Sequence, residues 1–398
     1  MSLAKVVICG GSRSPIGAIA GELSSLLAFP LLSQIAVAAL SHAKCDPKHV
    51  EYVTTGWVMQ DPRSPNIARS LCDAIGAPTT TAGTTVHENC ASGAAAIHDV
   101  ARRIALGEIT VGVASGVESM SNVPRYLFTG RTKREMYGDL ILIDGLMSAL
   151  TDYNVGKKGE LMGLLTERLV EKYNVSRELQ DEIAFRSHAN AVIAWEKGMF
   201  DYVTPVEVKT REGVHMVIKD AGPKVHDMDF FKKQKPYFKP NGGTITSANS
   251  SSMNDAAAAI VLASEKAAKE LGLPILAELR AYGNIGVPAE FMGEGAFKIL
   301  PKIMNRAGIK LDDIDYFEIN EAFAAVVGAA IKEYPELKID RVNQWGSGIS
   351  LGHPVGCTGV RQVVDMVYQL RKRGETIGVT TRCVGKGMGS GEVIEVRS

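Results

Sequence analysis

An α/β fold with a mostly parallel sheet, built from two similar halves, is what the sequence predicts. Short apolar runs alternate with helix-like stretches, the order expected of strands joined by helical crossovers. Segments of the two halves recur in the same order. The chain also carries 40 Gly in 398 residues, which serve tight turns and close backbone approaches. Hydrophobic residues make up 45% and charged residues 22%, the balance of an ordinary globular chain, so wholesale disorder is excluded. The length suits two to three domains. Lys+Arg and Asp+Glu both number 44, so no global field draws the chain to nucleic acid or an anionic membrane.

The elements follow in chain order. Lys5–Cys9 is apolar and ends in Gly10-Gly11, the pattern of a buried strand. Leu31–Leu40 reads as a helix and Val50–Thr54 as a strand. Ala94–Leu106 is a helix rich in small residues with Gly107 just past its end. Thr110–Ala114 is the next strand, and Tyr316–Ile319 another. The repeat aligns VEYVTTG at 50–56, Cys90-Ala91-Ser92-Gly93, a helix, Gly107-Glu108 and a strand with IDYFEIN at 314–320, Cys357-Thr358-Gly359, a helix, Gly374-Glu375 and a strand. Equal order argues for two copies of one unit, and the period is too long for a solenoid.

Residues 122–250 interrupt this pattern. They contain a helical stretch, Ser176–Lys197, opened by Ser176 and Glu178. Segment 206–240 carries eight Lys/Arg against five Asp/Glu (207, 212, 220, 227, 229). It reads as a solvated excursion for most of its charges, or as a cationic wall for a phosphorylated ligand. The six cysteines (9, 45, 72, 90, 357, 383) show no CxxC pairing, which fits a reducing, intracellular setting and no metal. The opening residues lack the long apolar stretch of a signal peptide, so the expected location is cytoplasmic. No apolar run approaches the ~20 residues of a membrane span.

Four places hold chemistry-bearing groups. Cys90 precedes the small-residue helix, where the helix dipole favours a thiolate. His353 lies in the glycine-rich loop 346–356, and an imidazole is the natural base for a thiol near neutral pH. Cys383 ends a strand and leads into Gly385, Gly387 and Gly389, whose backbone N–H groups suit an oxyanion hole. Asn320 follows the strand Tyr316–Ile319, at the strand end where α/β sheets place their sites. Glu321 beside it reads as a charge solvated at a helix start. Two thiols, an imidazole, an amide and two glycine-rich turns equip a site for acyl transfer with a carbanion step.

These residues resemble the thiolase family, the acetyl-CoA acetyltransferases and 3-ketoacyl-CoA thiolases. The matching motifs run the length of the chain: SRSPIG at 12–17, ENCASG at 88–93, GVESMSNVP at 116–124, NEAFA at 320–324, GHPVGCTG at 352–359 and CVGKGMG at 383–389. The resemblance implies a five-layered αβαβα core of two similar halves, 1–121 with 251–272 and 273–398, and an inserted loop domain at 122–250. It implies that Cys90 becomes acylated, that His353 activates it, and that Cys383 moves the α-carbon proton. Asn320 with His353 would form one oxyanion hole, and the N–H groups of Cys90 and Gly385 the other. Ser251, Ser247, Phe238, Met162, Leu161 and Phe323 would line the groove for CoA and its acyl group. CoA and acyl-CoA enter as substrates, with no permanently bound cofactor, and the family's assemblies imply a homodimer or homotetramer.

The chain departs from the family pattern in places. Leu161 stands where short-chain members place a His, NSSS at 249–252 replaces NASG, and Lys386 replaces a Gly. These departures bear on acyl specificity. Other condensing enzymes lack the second catalytic Cys at the position of Cys383. An acyl-CoA carrier without turnover would have lost Cys90, His353 or Cys383. A nicotinamide dehydrogenase needs GxGxxG after the first strand, which Gly10-Gly11 and the residues after them do not supply.

Overall fold

The computed structural model describes residues 3–128, 139–211 and 213–397. Part of the insertion (129–138) and Glu212, one of the acids counted above, lie outside the described residues. The elements that position the site are β1 (Val6–Arg13), α1 (Ala28–His42), β2 (Tyr52–Gly56), β3 (Ala82–Val86), α2 (Ser92–Leu106) and β4 (Val111–Ser119). The insertion contributes α3 (Met162–Tyr173) and α4 (Arg177–Glu196). Then come β5 (Asn254–Ser264), β6 (Ala277–Gly286), β7 (Tyr316–Ile319), α5 (Ala324–Glu333), α6 (Val355–Arg373), β8 (Ile377–Val384) and β9 (Met388–Val396).

Two sheets of matching topology result. The first runs β3-β2-β4-β5-β1 and the second β7-β8-β9-β6. A parallel bridge from Phe317 to Val342 extends the second sheet at the place β3 holds in the first. The sheets meet edge to edge where Val7 and Ile8 of β1 pair with Glu278 and Ala277 of β6. The expected mostly parallel sheet is not what forms. Only β2–β3, β2–β4 and β7–β8 are parallel among these pairs, and the rest are antiparallel. The turn at 385–387 folds β8 straight back onto β9, and so short a connection joins only antiparallel strands.

Helices and sheets stack in five αβαβα layers. On the outer face of the first sheet, α1 packs Leu31, Leu32 and Ile35 onto Val7, Val113 and Val261. Between the sheets, α2 and α6 bury Ile97, Val100, Val363 and Val367 with Ile8, Ile260 and Ile394. Outside the second sheet, α5 joins Phe317, Val379 and Val393. Gly10 does not end its strand. A Cβ there would lie 2.4 Å from the Ala43 nitrogen, so its absence seats the end of α1 on β1, beside a bulge between Ile8 and Gly10.

The middle layer brings the halves together. A Cβ on Gly359 of α6 would lie 2.2 Å from the Ala94 nitrogen of α2, and one on Gly93 2.8 Å from the Gly356 oxygen. Glycine at both positions lets the two helix starts touch backbone to backbone. Both helices end on left-handed glycines, Gly107 and Gly374. Cys90 and Cys357 stand the same number of residues before those glycines. Their surroundings differ, because α6 begins directly after Pro354 and takes Cys357 into the helix, where it is fully buried.

The insertion is more than a loop. Ser176 caps α4 by accepting from the Leu179 N–H at 3.2 Å. A hairpin of Val206–Thr210 and Gly213–Val217 adds Val206, Val208 and Val217 to the core of the first half. Buried Asp220 is anchored by Arg13 of the SRSPIG motif, whose guanidinium also holds Asp365 of α6, each at 2.8 Å. Of the basic segment, Lys209, Lys232 and Lys239 are engaged with Glu207, Asp229 and Glu171 on the surface. Such exposed pairs add little stability, and these three lysines read as solvated charges.

Candidate active site

Cys90 sits in a tight turn between β3 and α2. Asn89 takes a left-handed backbone conformation with φ of 47°. The Ser92 hydroxyl accepts from the Glu88 N–H at 2.9 Å and donates to the Asn89 carbonyl at 2.7 Å. The backbone N–H groups of Gly385 and of Cys90 itself favour the ionised form of the Cys90 thiol. The Asn89 amide donates to the Gly385 carbonyl at 3.0 Å, fixing the glycine loop of the second half over the cysteine of the first. The expected thiolate is not the resting form. Burial pushes the Cys90 thiol up to about 11, and the nearby Glu118 adds to the rise. The two N–H groups oppose this without overcoming it, so the thiol needs a base.

His353 lines the same cavity as Cys90. It follows Gly352, whose φ is 118° and where a Cβ would lie 2.6 Å from the Asn254 side chain. Asn254 Oδ1 accepts from the His353 N–H at 2.9 Å. His353 Nδ1 is 2.7 Å from Thr358 Oγ1, and that hydroxyl donates its one proton to the Pro354 carbonyl at 3.0 Å. Thr358 therefore accepts from Nδ1–H, which leaves Nε2 without a proton and its lone pair within 3.5 Å of the Asn320 amide nitrogen. Burial drives the imidazole down to about 3, with Arg361 and Arg382 reinforcing the effect. His353 is neutral across the physiological range.

Asn320 is fully buried against this histidine. Its Nδ2 lies 3.4 Å from Nδ1 and 3.5 Å from Nε2. Its Oδ1 is buried without a hydrogen-bond partner. Glu321 is not the solvated charge that the sequence suggested, being 2% exposed. It accepts from the Ser187 hydroxyl at 2.6 Å, the Asn343 amide at 2.7 Å and the Ile349 N–H at 3.2 Å. These bonds tie α4 and the loop before His353 to the strand end that carries Asn320, and burial holds the Glu321 carboxyl above its ordinary value.

Cys383 lies buried at the end of β8. Its thiol is raised by burial first and by the neighbouring Cys90 second. Cys90, His353, Cys383 and Gly385 line one cavity of about 410 Å³. All six candidate groove residues, Leu161, Met162, Phe238, Ser247, Ser251 and Phe323, line the same cavity. The rings of Phe238 and Phe323 meet edge to face at 6.0 Å. A Cβ on Gly163 would strike the Phe238 ring at 2.3 Å, so that glycine makes room for the aromatic wall. Asn320 is not among the lining residues.

Sequence reasoning missed several contributors. Thr358 sits in the same motif as His353, five residues on, and its role emerges only from the hydrogen bond. Glu118 accepts from the N–H groups of Met59 at 3.1 Å and Gly356 at 2.9 Å, bracing the start of α6. Burial raises its carboxyl to about 7. Met147, Leu150, Met253 and Met292 complete the apolar wall, and no local pattern marked them.

Comparisons with known proteins agree along the whole chain. The model of the thiolase N-terminal domain matches residues 6–266, and that of the thiolase C-terminal domain matches residues 273–396. Acetyl-CoA acetyltransferase 2 of Arabidopsis thaliana is 39% identical over 399 residues, covering 98% of this chain and 97% of that protein. Acetyl-CoA acetyltransferase of Escherichia coli K12 is 36% identical over 398 residues, covering 98% of each. Among solved structures, the acetyl-CoA acetyltransferase of Bacillus anthracis superposes with a TM-score of 0.94 at 37% identity, covering 100% of both chains. Human mitochondrial 3-ketoacyl-CoA thiolase superposes with a TM-score of 0.95 at 32% identity, again covering 100% of both.

Proposed function

This chain belongs to the thiolase family, and on that premise we propose how its residues carry the reaction. The enzyme is an acyltransferase. It moves an acyl group between a 3-ketoacyl-CoA and CoA, or condenses two acyl-CoAs. In thiolysis, His353 Nε2 takes the Cys90 proton and the thiolate adds to the 3-keto carbon. The C2–C3 bond breaks, leaving the acyl group on Cys90 and an enolate of acetyl-CoA, which takes its proton from Cys383. The thiol of CoA gives a proton to the Cys383 thiolate and attacks the acyl-Cys90 carbonyl. Cys90 leaves and recovers its proton from His353, and both thiols are restored. Read backwards, the same steps are a Claisen condensation with ping-pong order.

The observation that carries this reading is the meeting of Cys90, Cys383, Gly385 and the neutral imidazole of His353 in the lining of one cavity. The N–H groups of Cys90 and Gly385 suit the thioester oxygen of the acyl-enzyme. Asn320 with His353 suits the enolate oxygen, through a water at the unpaired Asn320 Oδ1. The groove past Phe238 and Ser251 suits the pantetheine arm of CoA. A cytosolic place is supported by relatives whose printed name includes that compartment, such as the Gibberella zeae protein. The test follows the absorbance of acetoacetyl-CoA on adding CoA, for the wild type and C90A. The wild type consumes it and C90A does not. Turnover in C90A at the wild-type rate would overturn the assignment.

A further inference from the structure

Lys386 stands one residue beyond Gly385, on the turn that covers Cys90. Its φ is 75°, in the left-handed region that a residue with a Cβ enters only when something holds it there. Its ammonium donates to Oδ1 of Asp152 in the insertion at 2.9 Å, an oxygen that also accepts from the Asn154 N–H at 2.9 Å. The Asp152 carboxylate is fully buried, and its Oδ2 has no hydrogen-bond partner. A buried carboxylate placed there costs free energy unless its ion pair is kept.

The segment that bears Asp152 forms a flap. Thr151 and Asp152 pair with Leu161 and Glu160 in a two-residue ladder. The Met162 N–H donates to the Leu150 carbonyl at 3.2 Å. The inner side of this flap, Ala149 and Leu150, closes a small apolar space beside Cys90 together with Val58, Met59, Met162 and Val355. Its volume is about 30 Å³, against about 410 Å³ for the main cavity, with which it shares Cys90, Leu150, Met162, Val355 and Gly385. Lys386 lines this space as well. Its side chain is 39% exposed, so the tie lies at the rim of the space.

We propose that the Lys386–Asp152 pair is a latch between the catalytic turn and the insertion that keeps this space beside Cys90 small. It thereby sets the preference for four-carbon over longer 3-ketoacyl-CoAs. The proposal rests on the thiolase reading above and adds a specificity-determining pair to it. Longer acyl groups reach Cys90 only when the flap moves, and moving the flap strips a buried carboxylate of its cation.

The experiment is the ratio of kcat/KM for 3-ketohexanoyl-CoA to that for acetoacetyl-CoA, in the wild type, K386G, D152N and K386R. Two rates from one preparation share the same folded fraction, so partial misfolding cancels from the ratio. K386G also places glycine where the backbone is already left-handed. The wild-type ratio is expected well below one. It rises at least tenfold in K386G and D152N and stays at the wild-type level in K386R, which keeps the pair. A wild type that takes both substrates equally, or a ratio unmoved in K386G and D152N, overturns the latch. Failure of the underlying reading gives a different result, a wild type that cleaves neither substrate.

Discussion

Replacing Thr358 by Val tests whether the proton of His353 is placed as the hydrogen bonds require. The change keeps the shape of the side chain and removes the one acceptor for Nδ1–H, now at 2.7 Å. The Pro354 carbonyl loses the Thr358 hydroxyl but keeps the N–H groups of Cys357 and Thr358, both at 2.9 Å. The cost therefore falls on the imidazole. A buried N–H left without a partner costs about 1–3 kcal/mol. The ring avoids that cost by moving its proton to Nε2, where, on the proposed mechanism, it can no longer take the Cys90 proton. With about 1.4 kcal/mol per tenfold, the population with a bare Nε2 falls by roughly 5- to 150-fold, and kcat for acetoacetyl-CoA thiolysis falls with it. KM for CoA stays near the wild-type value, since Thr358 does not line the cavity. T358S restores the acceptor and most of the rate. A T358V enzyme within twofold of the wild-type kcat, or a T358S enzyme as slow as T358V, would refute the argument.

Two further outcomes follow from features already described. G359A places a methyl group 2.2 Å from the Ala94 nitrogen, where backbone and not a flexible side chain must yield. Destabilisation of about 1–3 kcal/mol or more is expected, read as a melting temperature several degrees lower, and an unchanged melting temperature would contradict the backbone contact. The second outcome concerns pH. The folded His353 value of about 3 lies below the ordinary 6.5, so the unfolded chain binds the extra proton. The contribution of His353 to stability is lost as pH falls from about 6.5 toward 3. Between pH 6.5 and 5 that loss is about 1.5 kcal/mol. Denaturant titrations should show H353N losing less stability than the wild type over that interval, and parallel losses would refute it.

Much of the fold was legible because helix and strand starts carry local signals. Gly107, Ser176 and the apolar run 316–319 act within a few residues of themselves. Strand direction does not. Whether β5 runs with or against β4 depends on where a chain segment returns after the long insertion, and periodicity carries no such information. The chemistry divides in the same way. Cys90, His353, Cys383 and Asn320 were legible as residue types in glycine-rich settings. Their proton states were not, because burial set by distant elements outweighed the local helix dipole at Cys90. Glu321 misled for that reason too. A carboxylate beside a helix start looks solvated until Ser187 and Asn343, far away in the chain, close over it.

Finally, the burial of the cysteines has a practical consequence for anyone handling the protein. Cys9, Cys45, Cys72, Cys357 and Cys383 are buried, and Cys90 alone is partly open. Cys357, the repeat's counterpart of Cys90, has been folded out of reach inside a helix. A slow alkylating reagent applied to the native protein should therefore stop at one label per chain. The label count then reports the concentration of competent sites in any preparation, independently of total protein, and unfolding the chain releases the other five.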